Sequence, residues 1–223
     1  RIAFCSLSSV VLHATFIVSA QAQATTPMFA DVKTTDPAFI AINYLRGQNL
    51  VKGYPDNTFK PNQQVDRAAA LKMILAGQIS DAEVTGLRNP GFTDVPNDAW
   101  YNGYVAKAVQ KSIIDGPPKT KTFNGSRPAI LAEFLKVLEL AQGMDPDSYG
   151  EVRLPLSIDV SDPTAWYYKY FRMALASSLL QIDKTGNLNP TQQLTRGDVA
   201  IYVYRLLMYK QGKRTQALLS ETE

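Results

Sequence analysis

Apolar positions along this chain fall into helical stripes separated by turn-rich breaks. Over residues 37–47, Phe39, Ile42 and Leu45 recur at the spacing of one helix face, and Leu71, Ile74 and Leu75 repeat that spacing further on. The same pattern returns at Trp100, Tyr104, Val105, Ala108 and Val109, and then at Ile130, Phe134, Val137 and Leu138. It returns again at Trp166, Tyr170, Phe171, Ala174 and Leu175, and a last helix is expected over residues 196–210. Start signals sit where they should: Asp66 precedes one helix as a short acceptor, and Thr195 with Asp198 approximates a reciprocal capping box. Asp98 is a plausible cap for the third helix, and Ser126 with Pro128 is expected to open the fourth, since proline is tolerated in a first turn. The pattern predicts an all-α chain.

The helices come in pairs, and the pairs repeat. Between the first two lies Gly53-Tyr54-Pro55-Asp56-Asn57-Thr58-Phe59, a stretch of turn chemistry that leads to Asp66 and Arg67. Phe59, Phe123 and Leu188 align at spacings of 64 and 65 residues. Upstream, an Asp-Val closes FADV, FTDV and SIDV, placing Asp31, Asp94 and Asp159 at spacings of 63 and 65. Two landmarks sharing one period identify three tandem units, over residues 28–76, 91–141 and 156–210. Breakers at Gly86, Asn89 and Pro90, and at Gly143, Pro146 and Gly150, mark two linkers. A unit of about 50 residues buries little surface alone, so the three are expected to pack together and form grooves.

These residues resemble the S-layer homology family, whose repeat reads roughly F-x-D-V, a Trp, a helix, G-Y-P-D-G-x-F-x-P, then T-R-A-E and a second helix. The first unit carries FADV, GYPDNTFKPN and DRAA; the second keeps FTDVPNDAW but has Leu131 at the arginine position; the third keeps Trp166 and TRGD. The resemblance implies three helix–loop–helix repeats in a pseudo-threefold, three-pronged spindle. It also implies non-covalent attachment to a cell-wall polysaccharide, often pyruvate-modified, held in inter-repeat grooves by the motif arginine. That arginine is Arg67 in the first unit and Arg196 in the third.

Charge and composition narrow the alternatives. A net charge of +3 without a clustered basic face does not suit a nucleic-acid binder. Residues 1–24 begin with Arg1, run mostly apolar to Ser19 and end in Ala-Gln-Ala sites, which predicts an export segment cleaved after Ala24 and a secreted, cell-surface protein. If uncleaved, that segment would be the chain's membrane contact. It holds the chain's one Cys and one His, so the remainder offers no thiol or imidazole for a Ser-His or Cys-His dyad, or for a zinc site built on them. No carboxylate pair stands out from turn and cap positions, so no enzyme, metal or cofactor is expected. Residues 211–223 are polar and read as a tail.

The candidate polysaccharide-binding residues are Arg67, Arg196, Asp66, Thr195, Trp100, Trp166, Gly53 and Tyr54. A guanidinium at a helix start offers a fork of donors to a carboxylate, with helix N–H groups adding favourable potential. The alternative is a solvated arginine, or one paired with Asp31 or Asp159. The two tryptophans suit stacking on sugar rings and equally suit core packing. The Asp, Asn and Gly of residues 54–59 and 183–187 read as ordinary turns, since calcium loops need alternating acidic oxygens and a closing Glu. Two other functions stay open: an envelope scaffold whose grooves bind proteins, and a carbohydrate-active enzyme.

Overall fold

The sequence folds into α1 (Phe39–Gly47), α2 (Arg67–Leu75), α3 (Asp81–Val84), α4 (Asn102–Gln110), α5 (Leu131–Ala141), α6 (Tyr168–Ala176) and α7 (Arg196–Lys210). The computed structural model describes residues 26–76 and 78–212, among which there is no strand or sheet. The expected export segment and residues 213–223 of the expected tail lie outside the described residues. Most of these helices have nine residues, too short to persist alone in water. Packing holds them. The first helix of each unit lies on the second helix of the unit before it: α4 on α2, α6 on α5, and α1 on α7. The three units therefore close into a cycle, the pseudo-threefold arrangement of three helix–loop–helix repeats.

Main-chain bonds close that cycle at its centre. Just before each second helix the backbone is extended, and Val65 N–H donates to Leu194 O at 3.0 Å, Leu194 N–H to Ala129 O at 2.9 Å, and Ala129 N–H to Val65 O at 2.9 Å. All three residues are buried. Antiparallel bridges flank this ring, Gln64 with Thr195, Asp66 with Pro128 and Ile130 with Gln193. The first two N–H groups of each second helix, which no helix can satisfy internally, are met by the neighbouring unit. Arg67 and Ala68 donate to Arg127 O and Gly125 O, Leu131 and Ala132 to Gln192 O and Pro190 O, and Arg196 and Gly197 to Gln63 O and Pro61 O.

The Asp-Val landmarks have one job in all three units. Each aspartate accepts two consecutive loop N–H groups: Asp31 from Phe59 and Lys60, Asp94 from Phe123 and Asn124, Asp159 from Leu188 and Asn189, at 2.6–2.8 Å. The second residue of each pair has φ between 54° and 59°, a left-handed conformation that asparagine accepts more readily than lysine. These clamps carry Phe59, Phe123 and Leu188 into the core, each under 5% exposed.

Four local expectations are corrected. α5 begins at Leu131, after the uncapped Ile130, and not at Ser126 or Pro128, because residues 125–130 are drawn into the central ring. Pro128 fits there because the ring uses the N–H of Ala129 instead. Asp98 does not cap α4, whose N-cap is Tyr101 without a side-chain bond. Trp100 and Trp166 precede α4 and α6 and are 56% and 53% exposed, so neither belongs to the core stripe that follows it. The first linker also holds a helix, α3, started by a capping box between Ser80 and Glu83 and packed on α4, where a side chain at Gly103 would strike Val84 O.

Candidate functional site

Arg67, Leu131 and Arg196 occupy the same place three times. Each opens a second helix beside the loop of the next unit in the cycle, and what surrounds each is different.

Arg196 reaches over the loop of the first unit. Its Nε–H donates to Phe59 O at 2.8 Å, and the guanidinium carbon lies 4.8 Å from the Phe59 ring centre and 4.9 Å from that of Tyr54. The Tyr54 turn is held by Tyr54 N–H to Thr58 O and by Asp56, which takes both the N–H and Oγ–H of Thr58. Gly53 precedes it with φ +70°, and a β-carbon there would stand 2.2 Å from the Phe29 ring, so only glycine brings Tyr54 to this position. Lys60 Nζ lies 4.2 Å from the other groove aromatic, Tyr54, adding a second cation. Burial holds Arg196 below the ordinary guanidinium pKa, with Tyr54 and Asp31 opposing the shift. Among the described residues no acceptor meets its two terminal nitrogens. Asp31 is spent on Phe59 and Lys60 N–H, and Asp159 on Leu188 and Asn189, so neither forms the ion pair considered from the sequence.

Arg67 makes the same first contacts with the second unit: Nε–H to Phe123 O at 3.1 Å, and the guanidinium 5.4 Å from the Phe123 ring centre. Here one of the terminal nitrogens is occupied. Nη1 donates to Glu133 Oε2 at 2.5 Å, and Arg127 Nη2 donates to both oxygens of Glu133 at 2.6 and 2.8 Å. Burial lowers the Arg67 pKa, with Glu133 opposing it. Beside this cluster opens a cleft of about 350 Å³ lined by Arg67, Phe123, Glu133, Lys136 and Trp166 among others. The equivalents of Lys136 and Trp166 one step round the cycle are Lys72 and Trp100, with Nζ 5.6 Å from the indole centre. In the third groove Leu131 is 1% exposed, and the neighbouring Leu188 replaces the phenylalanine.

Asp66 and Thr195 make helix-start contacts. Asp66 accepts Ala69 N–H at 2.7 Å, and Thr195 forms a capping box with Asp198. The helix N–H groups expected to face a ligand are bonded to the neighbouring unit, which corrects that part of the expectation. In the third unit's turn Asp183 accepts from Thr185 Oγ–H, Asn187 N–H and Asn189 Nδ2–H, which hold its carboxyl well below the ordinary range. No group of three or more metal-ligating side chains occurs among the described residues. Glu133 and Arg127 were missed as site residues. The signal for Glu133 was present, since it stands at the Glu of the T-R-A-E motif, but its partner is 66 residues away in another unit.

The S-layer homology domain model matches residues 29–71, 91–135 and 159–200, more than half of the chain. The chain belongs to the S-layer homology family. Over 170 residues it is 26% identical to the surface-layer 125 kDa protein of Lysinibacillus sphaericus, covering 75% of this chain and 14% of that protein. It is 26% identical over 189 residues to the S-layer protein EA1 of Bacillus anthracis, covering 85% of this chain and 21% of that protein. It is also 25% identical over 169 residues to the amylopullulanase of Thermoanaerobacterium thermosulfurigenes, covering 74% of this chain and 9% of that enzyme. The chain thus spans between 9% and 21% of the length of these relatives. No helix among the described residues is long and apolar enough to cross a membrane.

Proposed function

We propose that this S-layer homology protein attaches non-covalently to an acidic cell-wall polysaccharide, outside the cell, without catalysing a reaction on it. The observation that carries the reading is the Arg196 groove. It offers a guanidinium backed by Tyr54 and Phe59, with both terminal nitrogens free for a carboxylate fork and burial that strengthens the pairing. Gly53 sets the Tyr54 wall, Asp66 and Thr195 fix the helix starts, and the exposed Trp100 and Trp166 offer indole faces to sugar C–H surfaces. A pyruvate ketal is one acidic group of fitting chemistry. The surface-layer relatives support placement at the cell surface.

The test is co-sedimentation and calorimetry with purified wall polymer. Arg196→Ala is expected to weaken binding by about 10- to 150-fold, the value of one hydrogen bond to a charged group. Arg196→Lys should recover part of it, since a point charge replaces a fork. Unchanged affinity in a folded Arg196→Ala protein removes this groove from the mechanism. A second reading, docking of another envelope protein, draws on Leu154 and Ile158, 73% and 72% exposed. Capture of such a partner that survives Arg196→Ala and fails in Ile158→Ser would favour it.

A further inference from the structure

We propose that Glu133 is a built-in carboxylate that occupies the anion seat of Arg67, so that two equivalent arginine grooves differ in availability and the Arg196 groove alone is open. The inference rests on the reading of Arg196 as an anion-binding residue.

The pseudo-threefold cycle supplies the comparison. Arg67 and Arg196 share the Nε–H bond to the carbonyl of an equivalent phenylalanine and the same placement over its ring. They part at the terminal nitrogens. The residue that meets Arg67 is Glu133, at the third position of α5. The residue at the third position of α2, next to Arg196, is Ala69. The loop position filled by Arg127 beside Arg67 is Gln63 beside Arg196. The Arg67 groove therefore has an extra carboxylate and an extra guanidinium, and the Arg196 groove has neither.

Glu133 is available for this role because of its own helix start. In α7 the equivalent acid, Asp198, is committed to the Thr195 backbone and hydroxyl in the capping box. In α5 the N-cap is Ile130, which has no hydroxyl to offer, and its N–H lacks the reciprocal partner. The carboxylate is released from capping and turns to Arg67 and Arg127. Its side chain is 24% exposed and that of Arg67 20%, so the pair sits where solvent screens it only partly. Three N–H···O contacts converge on its two oxygens, the arrangement expected for an acidic ligand in a two-arginine clamp. The cleft alongside, with Trp166 and Lys136 in its wall, is the space an acidic sugar would fill once that seat is vacant.

The test removes the internal carboxylate in a protein whose open groove is disabled. Arg196→Ala, Arg196→Ala/Glu133→Ala and Arg196→Ala/Glu133→Ala/Arg67→Ala are compared in thermal melts with sodium acetate against sodium chloride at equal ionic strength, and in wall-polymer binding. Acetate is expected to raise the melting temperature of the double variant alone, by refilling the seat, and polymer binding lost in Arg196→Ala should return by at least about tenfold in the double variant and vanish in the triple. Glu133→Gln, which keeps the side-chain volume, serves if truncation prevents folding; it should show a smaller gain in polymer binding of the same sign. The proposal is overturned if acetate acts no differently from chloride on the double variant and polymer binding stays at the Arg196→Ala level. Polymer binding unaffected by Arg196→Ala would instead refute the Arg196 reading, and the acetate melts would then decide the role of Glu133 independently.

Discussion

Among the described residues, Glu139 is a carboxyl whose ionisation burial strongly opposes. It lies in the last turn of α5, facing α6, with no exposed surface, and neither side-chain oxygen has a hydrogen-bond partner among the described residues. Tyr170 of α6 feels its charge, and Lys169, Asp147 and Asp115 act on that same tyrosine. Burial pushes the Glu139 carboxyl from 4.5 up to about 9. The sign follows from which state holds the proton. Between these values the unfolded chain has lost it and the folded chain keeps it, so stability is full below about pH 4.5 and falls as pH rises towards 9. The slope is about 1.36 kcal/mol per pH unit, and over the interval from 4.5 to about 9 the ceiling is about 6 kcal/mol. That is a large share of the 5–15 kcal/mol by which a typical domain is stable, so opening of the α5–α6 contact at alkaline pH limits the full loss. At about 2–4 °C per kcal/mol for this size, the melting temperature should drop by roughly 3–5 °C per pH unit. The window is favourable because the chain's one His and one Cys, His13 and Cys5, precede the described residues and no other histidine contributes. Melts followed by circular dichroism at pH 5, 6, 7, 8 and 9 on wild type, Glu139→Gln and Glu139→Met test this. The substitutions should flatten the pH dependence whatever they do to the absolute melting temperature. Parallel wild-type and Glu139→Gln curves across the window would refute a buried neutral carboxyl.

Two further outcomes follow from the scaffold. Leu131→Ala should cost about 2–5 kcal/mol, the range for truncating a buried leucine, and should leave polymer affinity unchanged in whatever fraction stays folded; denaturant titration with a binding assay separates the two. Asp94→Ala strands the N–H groups of Phe123 and Asn124 and should cost about 1.5–3 kcal/mol for each bond to a charge, with hydrogen exchange of those two amides accelerated before the rest of the fold; protection equal to wild type would show that the clamp is not what holds the loop.

The repeat was legible because its landmarks are local and spaced by a fixed period. Asp31, Asp94 and Asp159 stand at one spacing since each serves the same clamp, and Asp66 and Thr195 announce helix starts through short acceptors within one turn of their targets. Much of what failed depended on distance in sequence. The start of α5 was misplaced because Pro128 is as compatible with a first helical turn as with the extended segment that the other two units impose. Trp100 and Trp166 fit the helical spacing that follows them, yet both helices begin two residues later and leave the indoles outside. Glu139 lies outside the apolar stripe Ile130, Phe134, Val137 and Leu138, yet it is fully buried where α5 faces α6. The Glu133–Arg67 pair is formed only when the cycle closes, so no window along the chain contains it.

The unequal grooves follow from what closes the cycle. The ring at Val65, Ala129 and Leu194, and the bonds that satisfy each second helix's first N–H groups, are all main chain to main chain. Main-chain bonds ask little of the side chains beside them. One unit can therefore carry Leu where the others carry Arg, Ile130 where the others carry Asp66 and Thr195, and Pro128 where the others carry glutamine, without opening the centre. The changes at Leu131 and Ile130 then alter the grooves while the ring is kept. Replacing the cap by Ile130 frees Glu133 to turn to Arg67, replacing the arginine by Leu131 removes a cation from the next groove, and Ala69 beside Arg196 leaves that guanidinium without an internal carboxylate. A backbone-built centre is thus what allows three copies of one repeat to diverge along their grooves while keeping one arrangement of helices.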